Sequence, residues 1–199
     1  VCSSDLAAGA ASTACPALPL MVEVAPLTQP VEKTIAFDSA QAHVLIGQPG
    51  FKRDDPDFFA ITVGNYILGG GGFVSRLSTE VREQRGLSYS VYSYFSPGLH
   101  AGAFTVGLQT RPDQADQAVQ VSRDVVANFV DKGPTETELK AAKDNLIAHF
   151  EKEYLSRLTT RAGGNMSKAA RLAGIDRTTL YRLMEKHGFR RDVLSGAAD

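Results

Sequence analysis

Between Tyr89 and Gln109 the apolar residues fall at every second position, broken once by Pro97-Gly98, whereas on both sides of this stretch they recur at helical spacing. Tyr89 to Phe95 alternates and is aromatic, and Ala103 to Gln109 places Phe104, Val106 and Leu108 on one face. A period of two with a turn in its middle marks a hairpin with one buried side, and the neighbouring helices are what must bury it. The chain is thereby held to an α+β layout, an antiparallel sheet with helices on one face.

The remaining body fits this plan. Val31 to Phe37 and His43 to Gln48 predict a pair of strands about the turn Asp38-Ser39, closed by Pro49-Gly50. Residues 58–68 are apolar nearly all round, which predicts a buried helix, and Gly69 to Gly72 stop it. A second helix is expected from about Val74 to Arg85, with Leu77 and Val81 on one face and Gly86 as a left-handed cap. Pro112 starts a third, carrying Ala115, Val119, Ser122, Val126 and Phe129, which Lys132-Gly133 closes. Thr135-x-x-Glu138 is a capping box, so a fourth begins there and runs toward residue 150.

Charge divides the chain. Residues 1–155 hold 12 Lys+Arg against 18 Asp+Glu, and residues 156–191 hold 9 against 2, so a near-neutral total hides an acidic body and a basic tail. A basic appendage on an acidic body points to nucleic-acid contact. No run is long and apolar enough for a membrane helix, and two cysteines, Cys2 and Cys15, make no disulfide framework and no zinc spacing. His43, His100, His149 and His187 are 38 or more residues apart, and neither H-E-x-x-H nor H-x-x-E-H occurs. The sequence therefore assigns no metal ligand and no catalytic residue to this chain.

Gly69-Gly70-Gly71-Gly72 is followed by Phe73-Val74-Ser75-Arg76, where a phosphate-binding loop needs Gly-Lys-Ser/Thr. A tight helix-to-helix connection is the better reading. Next, Glu80-Val81-Arg82-Glu83-Gln84-Arg85-Gly86-Leu87-Ser88-Tyr89 sets a guanidinium on the last turn of a helix and a phenol at the start of a strand. Both can donate to a peptide carbonyl and strengthen their hold as that oxygen gains charge. On their own they read better as a helix-end cation and a core tyrosine. The glycine run with Ser75-Arg76-Leu77, followed by Glu80-Val81-Arg82-x-x-Arg85-Gly86-Leu87-x-Tyr89, resembles the second, non-metal domain of pitrilysin/insulinase-family zinc peptidases, over residues from about 27 to 148.

That resemblance implies a truncated half domain of the processing-peptidase type, a zinc site on a homologous partner half, and Arg82 and Tyr89 as the pair that binds substrate near the scissile bond. It further implies that the halves enclose a chamber and bind peptides partly by strand addition. A glycine-rich stretch such as Gly69 to Gly72 contacts presequences in the non-catalytic subunit of mitochondrial processing peptidase. No cofactor is expected in this chain, zinc being expected on the partner.

From Phe150 the text becomes helical, with a helix to Leu158 and beyond that Gly163-Gly164-Asn165 ends. A short helix fits Ser167 to Leu172, Gly174-Ile175 turns, and Asp176 caps a third helix reaching His187. The last presents Arg177, Thr178, Thr179, Tyr181, Arg182 and Lys186 outward, with Leu180, Leu183 and Met184 inward. The run from Gly164 to Leu183 resembles the Fis-type helix-turn-helix that ends NtrC-class response regulators, over residues from about 150 to 190. By that resemblance Arg177, Thr179 and Arg182 contact DNA, Asn165 fixes the turn or reaches a phosphate, and the preceding helix dimerises.

The organisation expected is a linker or artefactual leader at 1–26, with Val1 to Leu6 resembling translated sequencing adapter. A non-catalytic peptidase domain at 27–149, a helix-turn-helix at 150–191 and a tail at 192–199 follow. The expected partners are a zinc-bearing peptidase half, a peptide and DNA. The peptidase half points to the periplasm and the helix-turn-helix to the cytoplasm, so a chimeric join near Ala148-His149-Phe150 is preferred over a working fusion. A DNA-binding regulator fragment is the alternative function.

Overall fold

The computed structural model of the chain describes residues 28–189, together with Val22 and Ala25. The adapter-like start, both cysteines and the tail at 192–199 lie outside the described residues. The chain divides into a lead-in, Val1–Lys33, and a body, Thr34–Asp199. Residues 28–33 of the lead-in are exposed and without regular structure.

The body opens with strand β1, Ala42–Pro49, and continues through helix α1, Phe58–Asn65, which runs on into a π-helical turn, Tyr66–Gly70. A 3-10 turn, Gly72–Val74, and a second π-helical segment, Ser78–Glu83, lead to strands β2, Ser90–Phe95, and β3, Ala103–Thr110. Helices α2, Ala115–Lys132, and α3, Glu136–Ala162, complete the first layer pair. The sheet is antiparallel in the order β1-β3-β2, with Val44 opposite Leu108 and Leu108 opposite Val91.

The two-residue period works as anticipated. Phe104, Val106 and Leu108 face inward with Val91, Val44 and Ile46, and they meet Leu68, Leu77 and Val81 from the helical segments and Ala118 from α2. Leu77, Val81, Val106 and Leu108 are all but inaccessible. Each such side chain stabilises the fold by roughly 1.5–3 kcal/mol relative to exposure. Leu45, Tyr92 and Tyr94 point from the other face and are exposed.

Three expectations fail in instructive ways. Val31 to Phe37 is not a strand: the segment is extended and exposed, and β1 forms the sheet's outer edge, so its apolar alternation meets no ladder and no core. Helix α1 has no buried residue, Phe59 being 79% exposed, and only Ile67, Leu68 and Gly69 beyond it are buried. Phe58, Ile61, Val63, Gly64 and Asn65 are half-buried, so the helix is covered in part and not all round. In α2 the inward stripe is Ala118, Val121, Ser122, Val125, Val126 and Phe129, which keeps Ser122, Val126 and Phe129 of the expected set and replaces Ala115 and Val119 by Ala118, Val121 and Val125.

Helix α3 is 27 residues long and unbroken, about 40 Å at 1.5 Å per residue, so it carries the chain straight through the seam expected near 148–150. Its start is the anticipated capping box: Thr135 Oγ1 accepts from Glu138 N, and Glu138 Oε2 accepts from Thr135 N at 2.7 Å. Gly163, in the left-handed region at φ 63°, ends it. Helix α4, Met166–Ala173, and helix α5, Arg177–Lys186, then pack on its last turns. Helix α4 begins at the cap Asn165 rather than at Ser167, because Asn165 Oδ1 accepts from Lys168 N at 2.9 Å and extends the helix by a residue. Leu155, Leu158, Met166, Ala169, Leu180 and Met184 form a second core.

Candidate functional site

The glycine run makes the first site possible. Gly69 passes so close to β2 that a Cβ there would stand 2.6 Å from the Ser93 amide nitrogen and 2.8 Å from Leu77 Cδ1. The contact is sealed by Asn65, whose Nδ2 donates to Ser93 O at 3.2 Å and whose Oδ1 accepts from Ser93 Oγ at 2.7 Å. Gly72, at φ 64°, then reverses the chain. The reversal leaves Phe73 68% and Val74 70% exposed, and Ser75 Oγ donates to Gly72 O at 2.7 Å to hold the turn.

Arg82 lies in the second π-helical segment, with its guanidinium over the Phe73 ring at 4.6 Å from the centroid. The residue is half-buried, and its guanidinium makes no hydrogen bond or ion pair among the described residues. Arg85, one turn on, is occupied: its Nη1 reaches Glu80 O at 2.7 Å and the Glu80 carboxylate at 2.5 Å. Gly86, at φ 61°, bends the chain back, with Leu87 N donating to Val81 O at 2.9 Å. Thr110 Oγ1 donates to Leu87 O, and Tyr89 N donates to Gln109 O at 2.9 Å, which pins the Tyr89 backbone to β3. The Tyr89 side chain is 57% exposed, so it is not the core tyrosine that sequence alone permitted.

Arg76 was not singled out by its sequence context, yet it ties this region together. Its Nε and Nη2 bond both oxygens of Glu138 at 2.7 Å each, Nη2 also donates to Gly133 O at 3.0 Å, and its guanidinium lies 5.0 Å from the Phe129 ring centroid. The Arg76 guanidinium, together with the Thr135 bonds, holds the Glu138 carboxyl at about 2, well below its ordinary value near 4.5. One carboxylate thus caps α3 and anchors the helix that presents Arg82. The capping box signalled only the first of these roles, since a partner 62 positions away leaves no local mark.

In the second region Asp176 caps α5, accepting from Thr179 N at 2.8 Å and from Thr179 Oγ1 at 2.5 Å, and its carboxyl is held below the usual range by these bonds. Thr179 is half-buried and its hydroxyl proton is already directed to Asp176, so it is less available than a fully outward threonine. Tyr181 also departs from the outward set, being half-buried against the second core, with Arg177 Nη2 at 3.4 Å from its hydroxyl. Arg177 and Arg182 are exposed. Lys186 Nζ and His187 Nε2 meet the Glu151 carboxylate at 2.7 and 2.6 Å, fastening the end of α5 to α3. The hydrogen bonds from Lys186 and His187 hold the Glu151 carboxyl below its ordinary value.

Among the described residues no three His, Cys, Asp or Glu side chains come together as a metal site, and no helix is long and apolar enough to cross a membrane. Residues 146–187 match the family model described as bacterial regulatory protein, Fis family. A protein of Streptomyces coelicolor described as an uncharacterised zinc protease is 43% identical over 112 residues, 56% of this chain and 24% of that protein. A Helicobacter pylori protein described as a non-peptidase homolog is 40% identical over 121 residues, 58% of this chain and 27% of that one. The chain thus spans about a quarter of the length of these relatives. A solved structure of a peptidase M16 inactive domain from Pseudomonas fluorescens superposes with a TM-score of 0.60 at 33% identity, covering 90% of this chain and 42% of that one. Residues 15–146 match the model of the peptidase M16 inactive domain, and the chain belongs to that family.

Proposed function

We propose that this chain is the non-catalytic, peptide-gripping half of a pitrilysin-type zinc metallopeptidase. The observation that carries the reading is the guanidinium of the half-buried Arg82, seated on Phe73 and left without a hydrogen bond or ion pair among the described residues. A guanidinium taken partly out of water is ordinarily paired. One held ready with its donors unused suits an acceptor that arrives from outside, such as a peptide carbonyl. Tyr89, exposed at the entry to β2, adds a phenolic donor to the same grip. Both bonds gain strength as the carbonyl oxygen acquires charge, so their effect falls on the transition state more than on the bound peptide. The water-activating zinc is supplied by a homologous half elsewhere, and Gly69 to Gly72 position the Phe73 face beside Arg82.

The test is complementation. Mixed with a purified zinc-bearing half, the chain should restore cleavage of a fluorogenic peptide, and Arg82→Ala or Tyr89→Phe should cut the gain roughly 100-fold or more. Chelator-sensitive hydrolysis by the chain unaided would overturn the reading.

A second reading, DNA contact by α5, is favoured by the exposed Arg177 and Arg182 on a helix seated on its own core. Asn165 keeps its amide donors for a phosphate while its oxygen caps α4. Exposed Ile147, Phe150 and Tyr154, at helical spacing on α3, support a dimer. Retardation of random-sequence duplex DNA should weaken steeply with salt and vanish in the Arg177→Ala, Arg182→Ala double variant. Retention by that variant would sink it. A peptidase half placed in the periplasm and a DNA reader placed in the cytoplasm would share no compartment, and the charge reverses beyond residue 155. Both considerations favour a chimeric join, which one long sequencing read across the codons for residues 140–160 decides.

A further inference from the structure

Beside the Arg82 platform lies an open groove of about 520 Å³ between the glycine-rich turn and the middle of α3, lined by Tyr66, Phe73, Val74, Asn145, Leu146 and His149. Its floor is apolar, and Phe73 and Val74 are among the most exposed large apolar side chains of the body. Two features show what it accommodates. The groove is continuous with the proposed carbonyl grip, because the Phe73 ring that lines it is the ring on which the Arg82 guanidinium rests. None of its lining residues carries a carboxylate, and Arg82 brings a positive charge without a counter-ion to its rim.

Resting on the peptide-gripping reading above, we infer that this groove is a side-chain subsite that selects a bulky apolar residue in the peptide held by Arg82 and rejects a lysine or arginine there. An apolar side chain covers Phe73, Val74 and Leu146 from water, and burial of that surface supplies the selectivity. A basic side chain would lose hydration beside an unpaired guanidinium and find no anion in exchange.

The test uses the full chain and short fluorescein-labelled peptides identical but for one central residue, Phe, Ala, Glu or Lys, followed by fluorescence anisotropy. The Phe peptide should bind about tenfold more tightly than the Ala peptide, with the Lys peptide weakest. Phe73→Ala should erase the difference between Phe and Ala. Val74→Asp, at an exposed position where the fold tolerates a charge, should reverse the order and favour Lys over Phe. Arg82→Ala should weaken the Phe and Ala peptides by a common factor and the Lys peptide less, because the repelling charge is lost together with the grip. Equal binding of the Phe and Lys peptides, with Arg82→Ala still weakening both, would remove the subsite and leave the grip standing. Failure of every peptide to bind would overturn both.

Discussion

Two glycines of the same run do different work, and their substitutions separate the reasons. Alanine at Gly69 drives a methyl into Ser93 N and Leu77, so Gly69→Ala should destabilise the sheet core by about 1–3 kcal/mol. At Gly72 a methyl meets open space, and only the left-handed backbone opposes it, so Gly72→Ala should cost about 1 kcal/mol. Urea denaturation of the two variants gives both numbers, and equal losses would refute the distinction. Glu138 carries a second prediction. Its folded-state carboxyl titrates below its unfolded value, so the stability it contributes is present above about pH 4.5 and is lost as the pH falls toward about 2. Glu138→Gln should therefore lower stability by about 1–2 kcal/mol at pH 7, the Arg76 and Glu138 side chains being 20% and 31% exposed, with the gap to wild type closing between pH 4.5 and 2. A gap that stays constant with pH would assign the loss to packing instead.

At the scale of elements, caps were the most legible feature. Thr135 and Glu138, Asp176, Gly86 and Gly163 each bond within about four to six positions along the chain, so their residue types announce the helix ends. Asn165 was read as a helix stop and is also the start of α4. Its backbone amide closes the turn on Ala162 O while its side chain caps the new helix, and Asn165→Ala should lower the stability of the second core by about 1 kcal/mol, with Asn165→Asp restoring it. Helical ellipticity monitored on heating is the measurement, and an unchanged midpoint would deny the cap a role. Pairing of strands was less legible. Val31 to Phe37 carries the alternation of a strand yet finds no partner, because alternation reports a capacity for burial and not the presence of a sheet edge to accept it.

At the scale of the whole molecule, the described residues form two cores that share no residue, one under the sheet and one around α4 and α5, and no residue from Lys143 to Tyr154 is buried between them. Calorimetry should show two transitions. Leu108→Ala should lower the first and Leu180→Ala the second, each by about 2–5 kcal/mol, and a single transition moved by both would refute the separation. What the sequence determined unaided was everything carried by short-range pattern. The two-residue period of the hairpin, the helical stripes, the caps and the motifs around Arg82 and Asn165 all belong here, because neighbours within a turn or across a tight bend interact wherever the chain goes. Only the tertiary structure decided that Arg76 meets Glu138, that Phe73 carries Arg82 and stands beside Leu146, that α1 is half-covered rather than buried and that Thr179 is turned to its cap. The Arg76–Glu138 pair and the approach of Phe73 to Leu146 arise from close packing of segments remote in sequence, the partial cover of α1 from the width of the sheet beneath it, and the state of Thr179 from a choice between solvent and a local acceptor that composition leaves open.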